Sequence, residues 1–307
     1  MKSPSHMPSP AEEQRRENKS TTSFSNKITD TDIKNRVQKF YDLGSPYYYQ
    51  LYSEHIHDGY YITGKESKKE AQENLIKLLA VKAGITKKAK ILDVGCGMGG
   101  TSMWLAEHLE AKTTGITISP VQVEMANKLA QERGTDSSFL LMDANDMRFD
   151  RTFDVIWAVA MMTHLPHQQD FLKSATGLLK EHGKLVIFDW MLADDAIDTQ
   201  NDRDVSPVAK GMLLASMHSL NAYLAWLIAL GYRITYSEDI TANTVKTWDD
   251  ALAAIKDPLV WKLAAQVTAE ERKEVLSFFK SIRPMKLAMK RGKIIAGAIV
   301  AEKFKAL

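Results

Sequence analysis

Along the middle of the chain, short continuous runs of apolar residues alternate with longer segments in which apolar residues recur at helical spacing. The segments KILDVG, KTTGITIS, SSFLLMD, FDVIWAVA and GKLVIFDWM are short runs rich in Ile, Leu, Val and Phe, as is typical of buried strands. Between them lie TSMWLAEHL, SPVQVEMANKLAQERG and QQDFLKSATGLLKEHG, which have helical patterns. Regular alternation of this kind favours right-handed crossovers and a sheet covered on both faces. The pattern therefore predicts an α/β fold with a doubly wound, mostly parallel sheet.

Helix boundaries follow from residues that start or stop a helix. SKKEAQENLIKLLAVKAGI is predicted to be helical and to end at Gly84. A second helix should begin at Ser119, with Pro120 at its first position, and end at Gly134. TDTDIKNRVQKFYDLG is also predicted to form a helix ahead of the sheet.

The strand and helix rhythm stops near residue 192. Residues 192–285 are mostly helical in pattern and rich in Met, Trp and Tyr, and MKRGKIIAGAIVAEKF then predicts one last strand. An insertion at this place predicts a helical cap over the carboxyl edge of the sheet, where ligands bind in open sheets. We therefore expect five parts: a disordered tail at 1–30, a helical lid at 31–85, a Rossmann-like cofactor-binding core at 86–191, a helical substrate cap at 192–285, and a terminal core strand at 286–307.

Composition narrows the class of protein. The chain has 307 residues, is 45% hydrophobic, and has 40 Lys and Arg against 38 Asp and Glu. Because the basic residues are scattered, we expect no nucleic-acid partner and no binding to anionic membranes. The first thirty residues are polar and have no apolar segment of a secretory signal. LLASMHSLNAYLAWLIALGY contains His218 and Asn221, which favours a buried helix over stable membrane insertion.

The single cysteine, Cys96, cannot form an internal disulfide. We therefore expect a reducing compartment, and place the protein in the cytoplasm. The local sequence supplies no partner that would stabilise a thiolate, so we interpret Cys96 as a space-filling residue rather than a nucleophile. The composition also allows a homo-oligomer.

The segment ILDVGCGMGG ends an apolar run in a tight turn. Gly95, Gly97 and Gly100 fit the GxGxxG fingerprint of dinucleotide sites, but this pattern alone is weak evidence. Asp93 precedes the first glycine by two residues and would repel a pyrophosphate at the following helix N-terminus. A cofactor with a cationic amine and a sulfonium fits this carboxylate better, which favours S-adenosylmethionine. The alternatives are an NAD-dependent reductase and an Asp93 that merely caps the turn.

The ends of the next two strands supply a second test. A dinucleotide fold places an acid near the ribose about twenty residues further on, where this chain has Thr117. Ser119 and Gln122 could supply the ribose hydrogen bonds instead. Asp143, with Ala144 behind it, is placed to accept from an adenine amino group. Each residue alone is more often a cap or a turn residue, and their recurrence at successive strand ends is what favours a cofactor site.

Longer motifs resemble a known superfamily. ILDVGCGMGGTSMWLAE, GITISPVQVEMANKLA, MDANDMRFDRTFDVIWAV and HLPHQQDFLKSATGLLKEHGKLVI resemble the motifs of class I S-adenosylmethionine methyltransferases. FYDLGSPYYYQLYSEHIHDGYYITGKESKKEAQENLI and the segments LNAYLAWLIALGYRITYSEDITANTVKTWDDAL and IRPMKLAMKRGKIIAGAIVAEK are similar to the gamma-tocopherol-methyltransferase-like group, which includes plant alkaloid N-methyltransferases. GITISPVQ is also similar to cyclopropane fatty acid synthases. The resemblance runs from about residue 36 to residue 303 and is more specific for the cofactor than for the acceptor.

Carried over by position, the resemblance implies a set of site residues. HIHDGYY should close over the methyl donor, and His164 should face the reactive methyl. The implied cofactor-binding residues are Tyr41, Asp93, Gly95, Gly97, Thr117, Ile118, Gln122, Asp143 and Ala144. Tocopherol methyltransferases have glutamates just before their His-Met-Pro, whereas this chain has Met161 and Met162 before His164, which argues against a phenolic ring as substrate.

Methyl transfer from a sulfonium is an in-line displacement that mainly requires alignment and exclusion of water. A base is needed only where the acceptor must lose a proton, and His164 is the candidate, against the simpler interpretation that it only packs locally. For substrate contacts we predict Tyr60, Tyr61, Met161 and Trp190, although such residues are often ordinary core. His55 and His57 have no matching carboxylate or cysteine cluster, so no metal site is predicted.

The sequence thus predicts a methyltransferase for a small, largely apolar specialised metabolite, with N- or C-methylation favoured over O-methylation. One alternative is a cyclopropane-synthase-like enzyme that modifies an alkene, against which Met161 and Met162 argue. The other is a non-catalytic partner protein that binds the cofactor without turnover.

Overall fold

A computed structural model describes residues 29–52, 54–194 and 202–304, so residues 1–28 of the predicted tail lie outside the described residues. The helices are α1 Asp30–Tyr52, α2 Lys68–Ala83, α3 Gly100–Leu109, α4 Pro120–Arg133, α5 Gln168–Leu178, α6 Ser206–Gly211, α7 Leu220–Ala229, α8 Thr241–Thr244, α9 Thr247–Ala254, α10 Pro258–Ala264 and α11 Ala269–Lys290. The strands are β1 Lys90–Val94, β2 Lys112–Thr117, β3 Ser137–Leu141, β4 Phe153–Val159, β5 Leu179–Leu192, β6 Tyr232–Asp239 and β7 Ile294–Lys303.

These seven strands form one sheet in the order β3-β2-β1-β4-β5-β7-β6. The pairs from β3 to β5 are parallel, and β7 lies antiparallel between β5 and β6. The order reverses at β1, with β2 on one side and β4 on the other, and such a switch point opens a crevice at the carboxyl ends of the strands. The predicted doubly wound, mostly parallel sheet is confirmed.

Apolar side chains cover both faces of the sheet. In β4, Val155 and Trp157 pack into the cluster that contains Leu79 of α2. Ile156, between them, packs on the other face with Phe171 of α5. Successive residues of a strand point to opposite faces, so a run that is apolar at every position must be buried on both sides. This explains why β4 is apolar at every position from Val155 to Val159.

The predicted helix boundaries at the start of the core are confirmed. Ser67 and Glu70 form a reciprocal capping box at the start of α2, and Gly84 ends that helix with a φ of 60°. Ser119 accepts a hydrogen bond from the backbone N–H of Gln122 at the start of α4, and Gly134 ends α4 with a φ of 64°.

Strand β6 lies inside the range for which the sequence predicts a helical cap. YRITYSED pairs with β7 at the edge of the sheet. Tyr232 is its one buried residue, and the other seven are partly or fully exposed. An edge strand needs little apolar surface, so its sequence carries a weak strand signal. Residues 192–285 are therefore not a purely helical insertion, because they also supply a strand of the core sheet.

The most apolar late segment folds as part of the core. Its helix α7 buries Tyr223 and Leu227, and the Tyr223 hydroxyl donates a hydrogen bond to Gln168 of α5. In the described parts of the chain, no helix is both long enough and apolar enough to cross a bilayer.

Candidate active site

The turn between β1 and α3 is held tightly against its neighbours. The backbone N–H groups of Gly95 and Cys96 both donate to the carbonyl of Ile116 in β2, at 2.9 and 3.0 Å. Gly95 has a φ of +72°, and a Cβ placed on it would lie 2.6 Å from the Cβ of Met161. Glycine is therefore required at position 95 by backbone conformation and by close approach of the loop after β4.

Asp93 lies beneath this turn and is 3% exposed. Its Oδ2 accepts a hydrogen bond of 2.7 Å from Ser102 Oγ in the first turn of α3. Burial raises the pKa of the Asp93 carboxyl to about 7, with the Ser102 hydrogen bond opposing the shift. A buried carboxylate without a cation is costly, so this group favours a positively charged ligand.

Cys96 packs behind the turn, in a cluster with Met103, Ala126 and Phe139. Burial raises the pKa of its thiol far above the usual value. The thiol therefore stays protonated at neutral pH and is a poor nucleophile.

Gln122, predicted for the ribose, makes one side-chain hydrogen bond at each polar atom of its amide, so each atom can form one more. Thr117 Oγ1 donates to Gln122 Oε1 at 2.7 Å, and Gln122 Nε2 donates to Ser45 Oγ of α1 at 3.0 Å. Ser119 Oγ donates to Asp42 Oδ1, also of α1, at 2.5 Å. Helix α1 thus covers the carboxyl end of β2 and brings its polar groups to the residues that the sequence predicts for the ribose.

Asp143 follows β3 and accepts from the backbone N–H of Asn145 at 2.9 Å. Its other oxygen forms a 2.7 Å ion pair with Lys34 of α1. Partial burial raises the pKa of Asp143, but the hydrogen bonds from Lys34 and Asn145 outweigh it and hold the pKa below its usual value. The carboxylate is therefore ionised and able to accept a further hydrogen bond, as an adenine contact requires.

His164 forms a hydrogen-bonded pair with Tyr41. The Tyr41 hydroxyl lies 3.0 Å from His164 Nε2, and His164 Nδ1 lies 3.1 Å from the carbonyl of Leu213. Since a carbonyl can only accept, Nδ1 holds a proton, and Nε2 of the neutral ring accepts from Tyr41. Burial lowers the pKa of His164 and raises the pKa of Tyr41. Both groups are therefore neutral at physiological pH.

A buried carboxylate that the sequence analysis misses holds the turn before His164. Asp189 of β5 accepts from the backbone N–H of Thr163 at 3.2 Å and from Thr163 Oγ1 at 3.0 Å. Burial raises the pKa of Asp189 to about 6. Because the two residues are far apart in the chain, only the parallel pairing of β4 with β5 brings them together.

A cavity of about 710 Å³ lies between the sheet, α1 and the helices α9 to α11, and Asp93, Gln122, Asp143 and His164 are in its wall. The predicted residues that the structure brings to its wall are Tyr41, Asp93, Gly95, Gly97, Thr117, Ile118, Gln122, Asp143, Ala144, Met161, His164 and Trp190. Its other arm is apolar and is lined by Trp248, Ile255, Val260, Phe278, Phe279 and Ile282. Polar strand ends and an apolar arm thus line one cavity.

Tyr60 and Tyr61, predicted as substrate contacts, are not part of this wall. The Tyr61 hydroxyl donates to Asp250 Oδ2 at 2.6 Å, and Tyr60 packs against the core beside α2. The chain turns away at Gly59, where a Cβ would lie 2.6 Å from the Cβ of Ala71. Asp58 is therefore the last residue of HIHDGYY that reaches the cavity.

The rings of His55 and His57 lie 5.5 Å apart in the segment over the glycine turn. Burial lowers the pKa of His57 to about 4, so its ring is neutral, and its Nδ1 donates to the carbonyl of Asp58 at 2.8 Å. Among the described residues, no three His, Cys, Asp or Glu side chains are arranged to hold a metal ion.

Comparisons with known proteins identify the family. Residues 91–183 match the family model described as "Methyltransferase domain". The chain is 28% identical over 250 residues to a chloroplastic tocopherol O-methyltransferase of Arabidopsis thaliana, across 75% of this chain and 71% of the relative. It is 30% identical over 221 residues to the 27-O-demethylrifamycin SV methyltransferase of Amycolatopsis mediterranei (strain S699), across 71% of this chain and 80% of the relative.

Solved structures share the fold. A geranyl diphosphate C-methyltransferase from Streptomyces coelicolor A3(2), in complex with Mg2+, geranyl diphosphate and S-adenosyl-L-homocysteine, has a TM-score of 0.69 at 16% identity, over 88% of this chain and 98% of that chain. These solved structures show only the fold, whereas the sequence relatives identify the family. The chain belongs to the class I S-adenosylmethionine-dependent methyltransferases, in the gamma-tocopherol-methyltransferase-like group, and is an enzyme.

Proposed function

We propose that this enzyme transfers the methyl group of S-adenosylmethionine to a small, largely apolar metabolite, with nitrogen or carbon favoured over oxygen as the acceptor atom. One observation carries the proposal: the Asp93 carboxylate and the neutral Tyr41–His164 pair line the same cavity. Residues 31–85 are the lid in this proposal, and the helices of residues 192–285 are the substrate cap.

The residues at the strand ends fit the methyl donor. Asp93 is a carboxylate for the amine of the methionine part. At Gly97 the nearest atom to an added Cβ would be Ile56 Cδ1 at 3.5 Å, which leaves a ligand room near the backbone. Gln122 would hold the ribose hydroxyls, and Asp143 the adenine amino group. Bound at this site, S-adenosylmethionine supplies an electrophilic methyl on a sulfonium, and its displacement leaves a neutral thioether.

The protein's part in the reaction is alignment, exclusion of water and handling of one proton. Helix α1 covers the strand ends, and the apolar arm keeps water from the acceptor. His164 Nε2 has the lone pair that can take a proton, either through the Tyr41 hydroxyl or after Tyr41 moves aside.

The weak basicity of His164 supports the preference for nitrogen or carbon. Burial lowers the pKa of His164 below that of an ordinary histidine. Such a base is poorly matched to an alcohol, whereas a neutral amine needs no deprotonation before it attacks. The tocopherol relative is named as an O-methyltransferase. The preference for nitrogen or carbon is therefore proposed from His164 and not from that relative.

The test uses donor labelled in its methyl group and an extract of the producing organism, followed by mass spectrometry for labelled products. A labelled small molecule that forms much more slowly with the His164→Ala variant supports the proposal, and its structure gives the acceptor atom. Donor binding without any labelled product would favour a non-catalytic partner protein. A protein that is stabilised by NADH and not by S-adenosylhomocysteine would overturn the cofactor assignment.

A further inference from the structure

A second buried carboxylate, Asp58, lies in the wall of the cavity apart from the strand-end residues. The residue is 4% exposed, and its Oδ2 accepts a 2.8 Å hydrogen bond from Trp190 Nε1. Within the described part of the chain, no hydrogen bond reaches Oδ1, and that atom is not shut off from the cavity. An indole N–H donates a hydrogen bond but no charge, so most of the carboxylate's charge stays uncompensated.

The segment that carries Asp58 is rigidly held. Gln72 Nε2 of α2 donates to the carbonyls of His55 and His57 at 2.9 and 2.7 Å. The backbone N–H of Gly59 donates to Thr247 Oγ1 at 3.0 Å, which ties the segment to the start of α9. A carboxylate on a fixed backbone is positioned in advance, as a recognition group must be.

The indole of Trp190 contacts this carboxylate through its N–H, and Trp248 packs against Trp190. The rings of Trp190 and Trp248 lie 5.4 Å apart, inclined at 60°. Beyond Trp248 the wall continues with the apolar side chains of Ile255, Phe278 and Phe279. A buried carboxylate in an aromatic and apolar wall matches an ammonium group on an apolar body, since the carboxylate pairs with the charge and the wall packs against the body.

The positive charge near Asp58 does not neutralise its carboxylate. Lys68 lines the same region, and its Nζ donates to the Tyr48 hydroxyl at 2.8 Å. Burial raises the pKa of Asp58 to about 7, and the hydrogen bond from Trp190 and the charge of Lys68 offset this only in part. The charges of the protein therefore do not satisfy this carboxylate.

We infer that Asp58, with Trp190 and Trp248, forms a subsite for an ammonium group of the acceptor, whose apolar body occupies the arm along α9 to α11. This inference rests on the proposed function, because it assumes that the cavity holds an acceptor. It assigns the substrate class as amphiphilic amines and makes Asp58 a specificity-determining residue.

The test compares two probes of equal shape, 4-phenylbutylamine and 4-phenylbutan-1-ol, by calorimetry at pH 8, with and without saturating S-adenosylhomocysteine. We expect the amine to bind at least about tenfold more tightly than the alcohol. Asp58→Asn, which keeps an acceptor for Trp190, should weaken amine binding at least about tenfold and alcohol binding less than about twofold. Asp58→Ser is the second variant, in case the Asn side chain alters the fold.

The matched control is Asp170→Asn, an aspartate at the cavity mouth whose side chain is 72% exposed. It should leave the affinities for both probes unchanged. Equal affinities of the wild type for amine and alcohol, no measurable amine binding, or equal losses in the Asp58 and Asp170 variants would overturn the inference. If the wild type does not bind S-adenosylhomocysteine, the proposed function fails. The ratio of amine to alcohol affinity is also measured without S-adenosylhomocysteine, so the two failures can be told apart.

Discussion

The imidazole of His164 is clamped between the hydroxyl of Tyr41, 3.0 Å from Nε2, and the carbonyl of Leu213, 3.1 Å from Nδ1. The clamp fixes the tautomer, and burial lowers the pKa of the ring. Both partners come from distant parts of the chain, so the pair forms only when α1 lies over the sheet. A histidine held in this way is ready to accept a proton and is not charged beforehand.

The role of His164 can be tested by removing its ring. His164→Ala should slow turnover about 100-fold, because general-base help is lost, and should leave the Kd for S-adenosylhomocysteine within about threefold. The control is His167→Ala, since His167 also lies at the cavity wall but is exposed and pairs with Asp30. Full turnover by His164→Ala would remove this residue as the base.

Asp93 is expected to control donor affinity. Asp93→Asn keeps the shape and the Ser102 contact but removes the negative charge, so the Kd for S-adenosylmethionine should rise at least about 100-fold. Cys96→Ser is the control, because it changes the same turn without changing a charge. Calorimetric titration measures both, and a threefold or smaller effect in Asp93→Asn would contradict the assigned role.

Donor affinity should also depend on pH. Burial raises the pKa of Asp93 to about 7, so the neutral acid is populated below that pH. A cationic ligand binds the carboxylate form, and binding at lower pH must therefore release a proton. The Kd should rise about tenfold per pH unit below 7 and be flat above it. Calorimetry in two buffers of different ionisation enthalpy counts the proton.

A control is needed for this pH dependence, because burial also raises the pKa of Asp58 to about 7 and of Asp189 to about 6. Asp93→Asn retains those two groups. Its weaker binding should lose the proton release that the wild type shows. Equal proton release in the two proteins would assign the effect to another carboxyl.

An ion cluster away from the cavity gives a stability prediction. Glu302 of β7 accepts from Lys184 Nζ at 2.8 Å, Arg233 at 2.7 Å and His182 Nδ1 at 2.9 Å. The contacts, led by Lys184, lower the pKa of Glu302 from 4.5 to about 2. The carboxylate therefore stabilises the fold fully above pH 4.5, and this contribution is lost as the pH falls through 2.

Glu302→Gln should consequently lower the free energy of unfolding by about 1 kcal/mol at neutral pH. The difference between wild type and variant should shrink as the pH falls below the ordinary glutamate pKa. Urea unfolding followed by circular dichroism at several pH values measures it. If the difference in the free energy of unfolding stays constant down to pH 2, Glu302 stabilises the fold through packing and not through its charge.

Local patterns predict the parts of the site that depend on neighbours in sequence. Asp93 and Gly95 belong to one turn, and Ser119 and Gln122 to one helix start, so the residue types and spacing already define their environment. The strand ends then converge because parallel strands share an edge. For these residues, the sequence predicts which side chains come together, and the structure supplies the distances between them.

The remaining parts depend on contacts between distant segments. Trp190 is 132 residues from Asp58, and no periodicity in the sequence relates the two. The sequence predicts that Tyr60 and Tyr61 line the pocket, because their residue types suit one. The close approach of Gly59 to Ala71 directs the chain into the core instead. Strand β6 escaped prediction because an edge position leaves its pattern largely polar.

Helix α1 contacts three regions of the cavity at once: Lys34 pairs with Asp143, Ser45 accepts from Gln122, and Tyr41 donates to His164. These contacts sit on one rigid body, so withdrawing the helix disrupts all of them together. If the proposed nucleoside leaves the cavity past α1, its exchange and the separation of Tyr41 from His164 occur in one movement. The proposed base would then be reassembled only after the site has been refilled.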